Sequence, residues 1–153
     1  MDEVFPQRRH LPHEVPPWVA DGSVFFITIN AKGRGDAPLL AGDRPVRLWE
    51  NTRRQMDAGR WWVRLFMVMP DHLHMMASFP RNPGMKAVIR EWKRWTALTL
   101  GIEWQRDFFD HRIRNAKEYE EKAFYIRQNP VRKGLVADAR EWPHAWAVPK
   151  PMW

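Results

Sequence analysis

The stretch Trp61–Phe79, WWVRLFMVMPDHLHMMASF, reads as two strands with a polar break at Pro70-Asp71. Successive side chains of a strand point to opposite faces. His72 and His74 therefore share one face, roughly 6–7 Å apart, while Leu73 and Met75 point the other way into a core. Two imidazoles on one strand face are either metal ligands or polar residues on the solvated side of an antiparallel sheet. Neutral imidazole is the commonest metal ligand among side chains, but a lone His-x-His pair is common, and spacing alone leaves both readings open.

Upstream, Ser23–Asn30 (SVFFITIN) is β-branched and aromatic and reads as a strand. A loop with Gly33, Gly35 and Gly42 follows. Pro45 suits the first turn of a helix whose inner positions are Leu48 or Trp49, Thr52 and Met56, and Gly59 stops it. Residues 1–21, with Pro6, Pro12, Pro16 and Pro17, read as an extended arm, ordered by Trp18. Downstream, Pro80–Pro83 is a turn and Gly84–Leu100 the strongest helix. Met85, Ile89, Trp92 and Thr96 form its apolar stripe. Lys86, Arg90, Lys93 and Arg94 form a second, basic stripe, which is either a solvated face or a phosphate-contacting one. Phe108–Ile113 reads as a short strand and Ala116–Asn129 as a helix, ended by Pro130, which disfavours helical geometry in the residue before it. Residues 137–153 form a Pro- and Trp-rich tail along the surface. The expected order is strand, helix, strand, strand, helix, strand, helix, in a single domain spanning residues 1–153.

Composition narrows the function. The chain has 153 residues, of which 44% are hydrophobic, with 10 Trp and 13 Pro. It has no Cys, which excludes disulfides, thiolate zinc sites and cysteine nucleophiles. No apolar run reaches the roughly 20 residues of a membrane helix, and MDEVFPQRRH holds no signal-peptide core, so neither membrane nor secretion is expected. The net charge of +7 favours a polyanion, nucleic acid first.

The last helix carries a second signal. Tyr119, Ala123 and Ile126 recur at i, i+4 and i+7 and define its apolar face. At 100° per residue Tyr125 lies roughly 130° from the middle of that stripe, and Asn129 sits beside it one turn on. A tyrosine off the core stripe is a surface residue or a reactive one. Tyr can act as a nucleophile, but its phenol, with a pKa near 10, needs activation.

Together these residues resemble a known family. Met69-Pro70-Asp71 followed by His72-Leu73-His74 is similar to the His-hydrophobic-His signature of single-tyrosine transposases. Tyr125–Val136, YIRQNPVRKGLV, resembles the tyrosine helix of one branch, the REP-associated tyrosine transposases. Arg9–His13, Phe25–Thr28, Trp104-Gln105 and Phe108–Arg114 extend the likeness over most of the chain, from about Arg8 to Trp146. Asp71 departs from the pattern, where Asn is frequent.

The resemblance implies an α/β, ferredoxin-like or RRM-like fold, an antiparallel sheet with helices packed on one face. It implies Tyr125 as nucleophile, with His72, His74 and Asn129 holding Mg²⁺ or Mn²⁺, a donor set that suits an octahedral ion. It implies single-stranded DNA next to hairpins, of REP type or at element ends, cleaved and rejoined through a 5′-phosphotyrosine. Lys86, Arg90, Lys93, Arg94, Arg112 and Arg114 are the basic residues expected to hold the strand. The implied location is the bacterial cytoplasm, at the nucleoid, and the implied state a monomer or homodimer. Two other classes remain open: an RRM-like module that binds single strands without chemistry, and a metal-dependent nuclease that uses water.

Overall fold

A computed structural model describes residues 16–33 and 36–148 of the chain. Its elements are β1 (Phe25–Asn30), α1 (Arg44–Asp57), β2 (Trp62–Val68), β3 (His72–Ser78), α2 (Met85–Leu100), β4 (Phe109–Arg112), α3 (Ala116–Arg132) and β5 (Ala145–Ala147). The five strands form one antiparallel sheet in the order β4-β1-β3-β2-β5. The α+β class and the order of the first seven elements are those expected. Among the described residues no helix is long and apolar enough to cross a membrane.

Local sequence explains the helix ends. Pro45 occupies the first turn of α1, where its missing N–H costs nothing. Gly101 closes α2 at φ +70°, a left-handed backbone that favours glycine, and its N–H caps the Ala97 carbonyl. The apolar stripes fall as predicted. Leu48, Met56, Val88, Ile89 and Trp92 are buried with Ile27, Ile29, Leu73 and Met75 of the sheet. Trp92 is therefore core, and Trp61 packs beside it with ring centroids 5.8 Å apart.

A bulge in β2 between Val63 and Leu65 resets the alternation of that strand. Val63 and Phe66 join the cluster under α1 and α2, whereas Leu65 and Met67 face the opposite side of the sheet. There they meet Phe26, Met76 and the Ala123 and Ile126 of α3. The helices consequently lie on both faces, not on one: α1 and α2 on one side, α3 on the other. An alternating strand shows two candidate faces, and here both are apolar, so both need a cover.

Three further expectations are corrected. Pro130 does not end α3, which runs on to Arg132. Pro sacrifices only its own N–H, while Lys133 N–H still reaches the Asn129 carbonyl, and Gly134 and Leu135 N–H close the final turn. The tail does not merely lie along the surface. Its Ala145–Ala147 pairs with β2 as a fifth strand, and Trp146 stacks on Trp49 at 5.7 Å and 5°. Of the expected N-terminal arm, residues 1–15 lie outside the described residues, and Pro17–Asp21 is a 3₁₀ turn, not extended chain.

Because Ile126 is fully buried between α3 and the sheet, Ile126→Ala is expected to cost about 2–5 kcal/mol. Urea unfolding measures that cost. A loss below about 1 kcal/mol would mean that α3 is not anchored on this face.

Candidate active site

The site is an open cleft of about 920 Å³ on the α3 side of the sheet. Alternation along β1 and β3 supplies its floor. Thr28 pairs with His74 and Asn30 with His72, so the four polar side chains stand in two adjacent rows. Phe26 lies one row away, and its ring is stacked on that of His74 at 5.4 Å and 22°. One wall is β4, through Phe109 and His111. The opposite wall is α3, through Lys122, Tyr125, Asn129 and Lys133.

The two histidines are close, with ring centroids 4.8 Å apart. His72 Nδ1 lies 2.8 Å from Asp71 Oδ1, which accepts a hydrogen bond from it, and His72 Nε2 faces Asn129, whose Nδ2 is 3.2 Å away. Asp71, the family departure, thus orients its neighbour in the way a carboxylate orients a metal-binding imidazole. His74 Nδ1 lies 2.9 Å from the Thr28 hydroxyl. His74 is only 5% exposed, which corrects the solvated-face reading: α3 covers the strand there. Burial, then the neighbouring His72 and Arg132, push its pKa down to about 3, so it stays neutral at physiological pH.

Tyr125 is 47% exposed, off the apolar stripe as the helical angle requires. Its ring is edge-on to Phe26 and to His74, at 6.1 and 6.2 Å. Arg132 grips it from α3's last turn. The guanidinium carbon sits 4.0 Å from the ring centroid, and Nη2 donates to the Tyr125 carbonyl at 2.8 Å. This cation–π contact steadies an otherwise free side chain and places positive charge beside the phenol. Asn129, one turn on, is 3% exposed.

Two imidazoles and an amide side by side could hold a metal ion. Among the described residues no three His, Cys, Asp or Glu cluster as a metal site, so the third donor would be the Asn129 amide. That amide has only to present oxygen where it now presents nitrogen, a choice of orientation that the hydrogen-bond network decides. Two nitrogens and one oxygen leave room for water and phosphate oxygen.

The expected basic residues are less concentrated. α2 lies behind the sheet, so Lys86, Arg90, Lys93 and Arg94 are not in the cleft. Lys93 is also engaged, its Nζ donating to the carbonyls of Gln105, Arg106 and Asp107 at 2.7–3.4 Å. Arg112 is exposed on β4 but alternates away from His111. Arg114 donates to the Glu118 carboxylate through its backbone N–H at 2.7 Å and through its side chain. The cations that do reach the cleft are Lys122 of α3 and Lys133, which caps its C-terminal end, and sequence reasoning set Lys122 only on a polar face.

Sequence reasoning also missed the lock that aims α3. Glu118 takes hydrogen bonds from His111 Nε2 at 2.8 Å and from Arg114, while Asn115 caps the helix through Glu118 N–H at 2.8 Å. Glu at i+3 from an Asn N-cap was the available signal. The Glu118 carboxyl is held down to about 2, first by His111 and then by Arg114.

The comparisons agree with the geometry. No family model matches the chain. It is 28% identical over 128 residues to the REP-associated tyrosine transposase of Escherichia coli K12, covering 80% of this chain and 74% of that protein. It is 30% identical over 95 residues to a putative REP-associated tyrosine transposase of Haemophilus influenzae, covering 51% and 54%. A solved structure of a REP-associated tyrosine transposase bound to a REP hairpin superposes with a TM-score of 0.69 at 28% identity, covering 81% of this chain and 76% of that one.

Glu118 generates a pH prediction. Its folded pKa lies below the ordinary 4.5, so its contribution is complete above that value and is lost as pH falls towards about 2. The melting temperature should drop across that window, and Glu118→Gln, already less stable at neutral pH, should show a shallower drop. Parallel pH profiles for the two proteins would exclude the lock.

Proposed function

The chain is a relative of the REP-associated tyrosine transposases, and from that premise we propose that it cleaves and rejoins single-stranded DNA next to hairpins, with Tyr125 as nucleophile. One observation carries the reading. Side chains 51 to 57 positions apart in sequence, His72 and His74 on β3 and Tyr125 and Asn129 on α3, converge on one cleft. The relatives' names and the hairpin of the solved neighbour support the substrate class.

In this reading a single strand enters the cleft and its backbone is held by Lys122 and Lys133. The Tyr125 oxygen attacks phosphorus in line. A phosphorus–oxygen bond to tyrosine forms, the bond to the 3′ oxygen breaks, and that oxygen leaves as a 3′-OH after gaining a proton. The product is a 5′-phosphotyrosine. Attack by another 3′-OH reverses the step and joins strands, so the number of phosphodiester bonds is conserved and no external energy enters. Arg132 holds the ring against rotation and lends positive charge to the phenolate that must form. His72, His74 and the Asn129 amide would hold Mg²⁺ or Mn²⁺. That ion, when bound, supplies the charge that polarises a phosphate. Asp71 fixes the His72 tautomer that such an ion needs.

Tyr125→Phe should keep the fold and the binding of hairpin DNA and lose the covalent protein–DNA band on a denaturing gel; a surviving band would assign the nucleophile elsewhere. Cleavage that persists without the band would point to a water-using nuclease, and binding with no cleavage by the unaltered protein to a binding module.

Charge placement gives a further expectation. Affinity for single strands falls with salt at a slope of about −0.7 per contacted phosphate. Lys122→Ala/Lys133→Ala should make that slope shallower by roughly one to two, whereas Lys86→Ala/Arg90→Ala, behind the sheet, should leave it unchanged. The reverse pattern in a salt titration would move the DNA track to α2.

A further inference from the structure

Resting on the reading of the cleft as a DNA-strand site, we propose that Phe109 is a stacking platform for one unpaired base flanking the scissile phosphate. Phe109 lies on the edge strand β4 and is 54% exposed. Its ladder partner is Thr28, whose partner on the other side is His74. Phe109, Thr28 and His74 thus form one row across the sheet. Strands are spaced about 4.8 Å apart, which sets Phe109 roughly 10 Å from the His74 backbone, along the floor of the cleft.

The ring is braced as well as exposed. Phe26 meets it edge-on, at 6.1 Å and 73°, and Phe26 is itself fixed by its stack on His74. α3 buries Phe26 of β1 and Met76 of β3, while Thr28 and Asn30 of β1 and Phe109 and His111 of β4 line the open cleft. Of the large apolar side chains exposed among the described residues, Phe109, Tyr125 and Leu135 all line this cleft. Lys122 and Lys133 line it too. The ligand that fits must offer flat apolar surface and negative charge together. An unpaired nucleotide does both, its base on the aromatic ring and its phosphate towards the lysines.

The experiment uses a hairpin DNA with an unpaired flank, carrying the fluorescent base 2-aminopurine at each flank position in turn. It is bound to the full chain with Tyr125→Phe, so the strand stays intact. Stacking should quench the probe at one or two adjacent positions. Adding Phe109→Ala should abolish that quenching and weaken binding about 5- to 150-fold, the range of base–aromatic stacking. Phe109→Trp should retain both, and Phe109→Leu, which keeps apolar bulk, should still lose the quenching if Ala fails to fold. The salt slope should not change, because no phosphate contact is lost. Equal affinity and equal quenching with Phe and Ala at position 109 would overturn the proposal. The covalent-band assay separates the two readings. A band with no effect of position 109 removes only the platform. Quenching that depends on Phe109 with no band ever formed by the unaltered protein removes only the nucleophile.

Discussion

The seating of α3 on the sheet is the contact on which the rest of the site depends. Ala123 and Ile126 are buried against Leu65, Met67 and Met76. Ala123 offers almost no side chain at the point of contact, which lets the helix lie close to the sheet. That closeness removes His74 from water and keeps it neutral, and it brings Asn129 within hydrogen-bond reach of His72. The same helix sets Tyr125 at the edge of that contact, where its ring stands against Phe26 and His74 and is still half exposed, since the two sets of positions lie on different sides of one cylinder. Burial of the apolar stripe and presentation of the polar one are thus a single geometric fact.

Orientation along the helix axis has its own determinants. At the N-terminal end Glu118 ties α3 to β4 through His111 and Arg114, and Asn115 caps the first turn. At the C-terminal end Arg132 reaches back to the Tyr125 carbonyl and ring. A carboxylate near the helix N-terminus and a guanidinium in the last turn both suit the helix dipole, so these locks also favour the helix itself. The tyrosine sits between them on the stiff middle of the element. On the proposed reading, a nucleophile aimed in line at phosphorus needs such constraint, because small misplacements are costly in rate.

The two faces of the sheet divide the labour. The side covered by α1 and α2 is packed with Trp61, Trp92, Phe66 and aliphatic residues, and provides most of the core. The α3 side is only partly covered: α3 buries Phe26 and Met76, while Thr28 and Asn30 of β1 line the open cleft. An exposed aromatic on an edge strand would ordinarily invite association, and here it stands within a cleft lined by lysines. Incomplete cover is what leaves the cleft open.

Much of this was legible from residue order. Strand alternation placed His72 and His74 together, helical spacing set Tyr125 beside Asn129 and off the Tyr119–Ala123–Ile126 stripe, and Gly101 marked a real helix end. These rest on backbone periods of 2 and 3.6, which are local properties of the chain. Other features were not local. That α3 covers the face opposite α1 and α2 goes with a bulge at Arg64 of β2 that turns Leu65 and Met67 to that face. That the tail adds a strand depends on β2 having a free edge. That Lys93 serves three loop carbonyls, and that Lys122 and Lys133 reach the cleft instead, depends on which side of the sheet each helix takes. Periodicity by itself determined which side chains share a face; only the packing of the layers decided what each face looks at, because alternation is symmetric between the two sides and long-range contacts are what distinguish them.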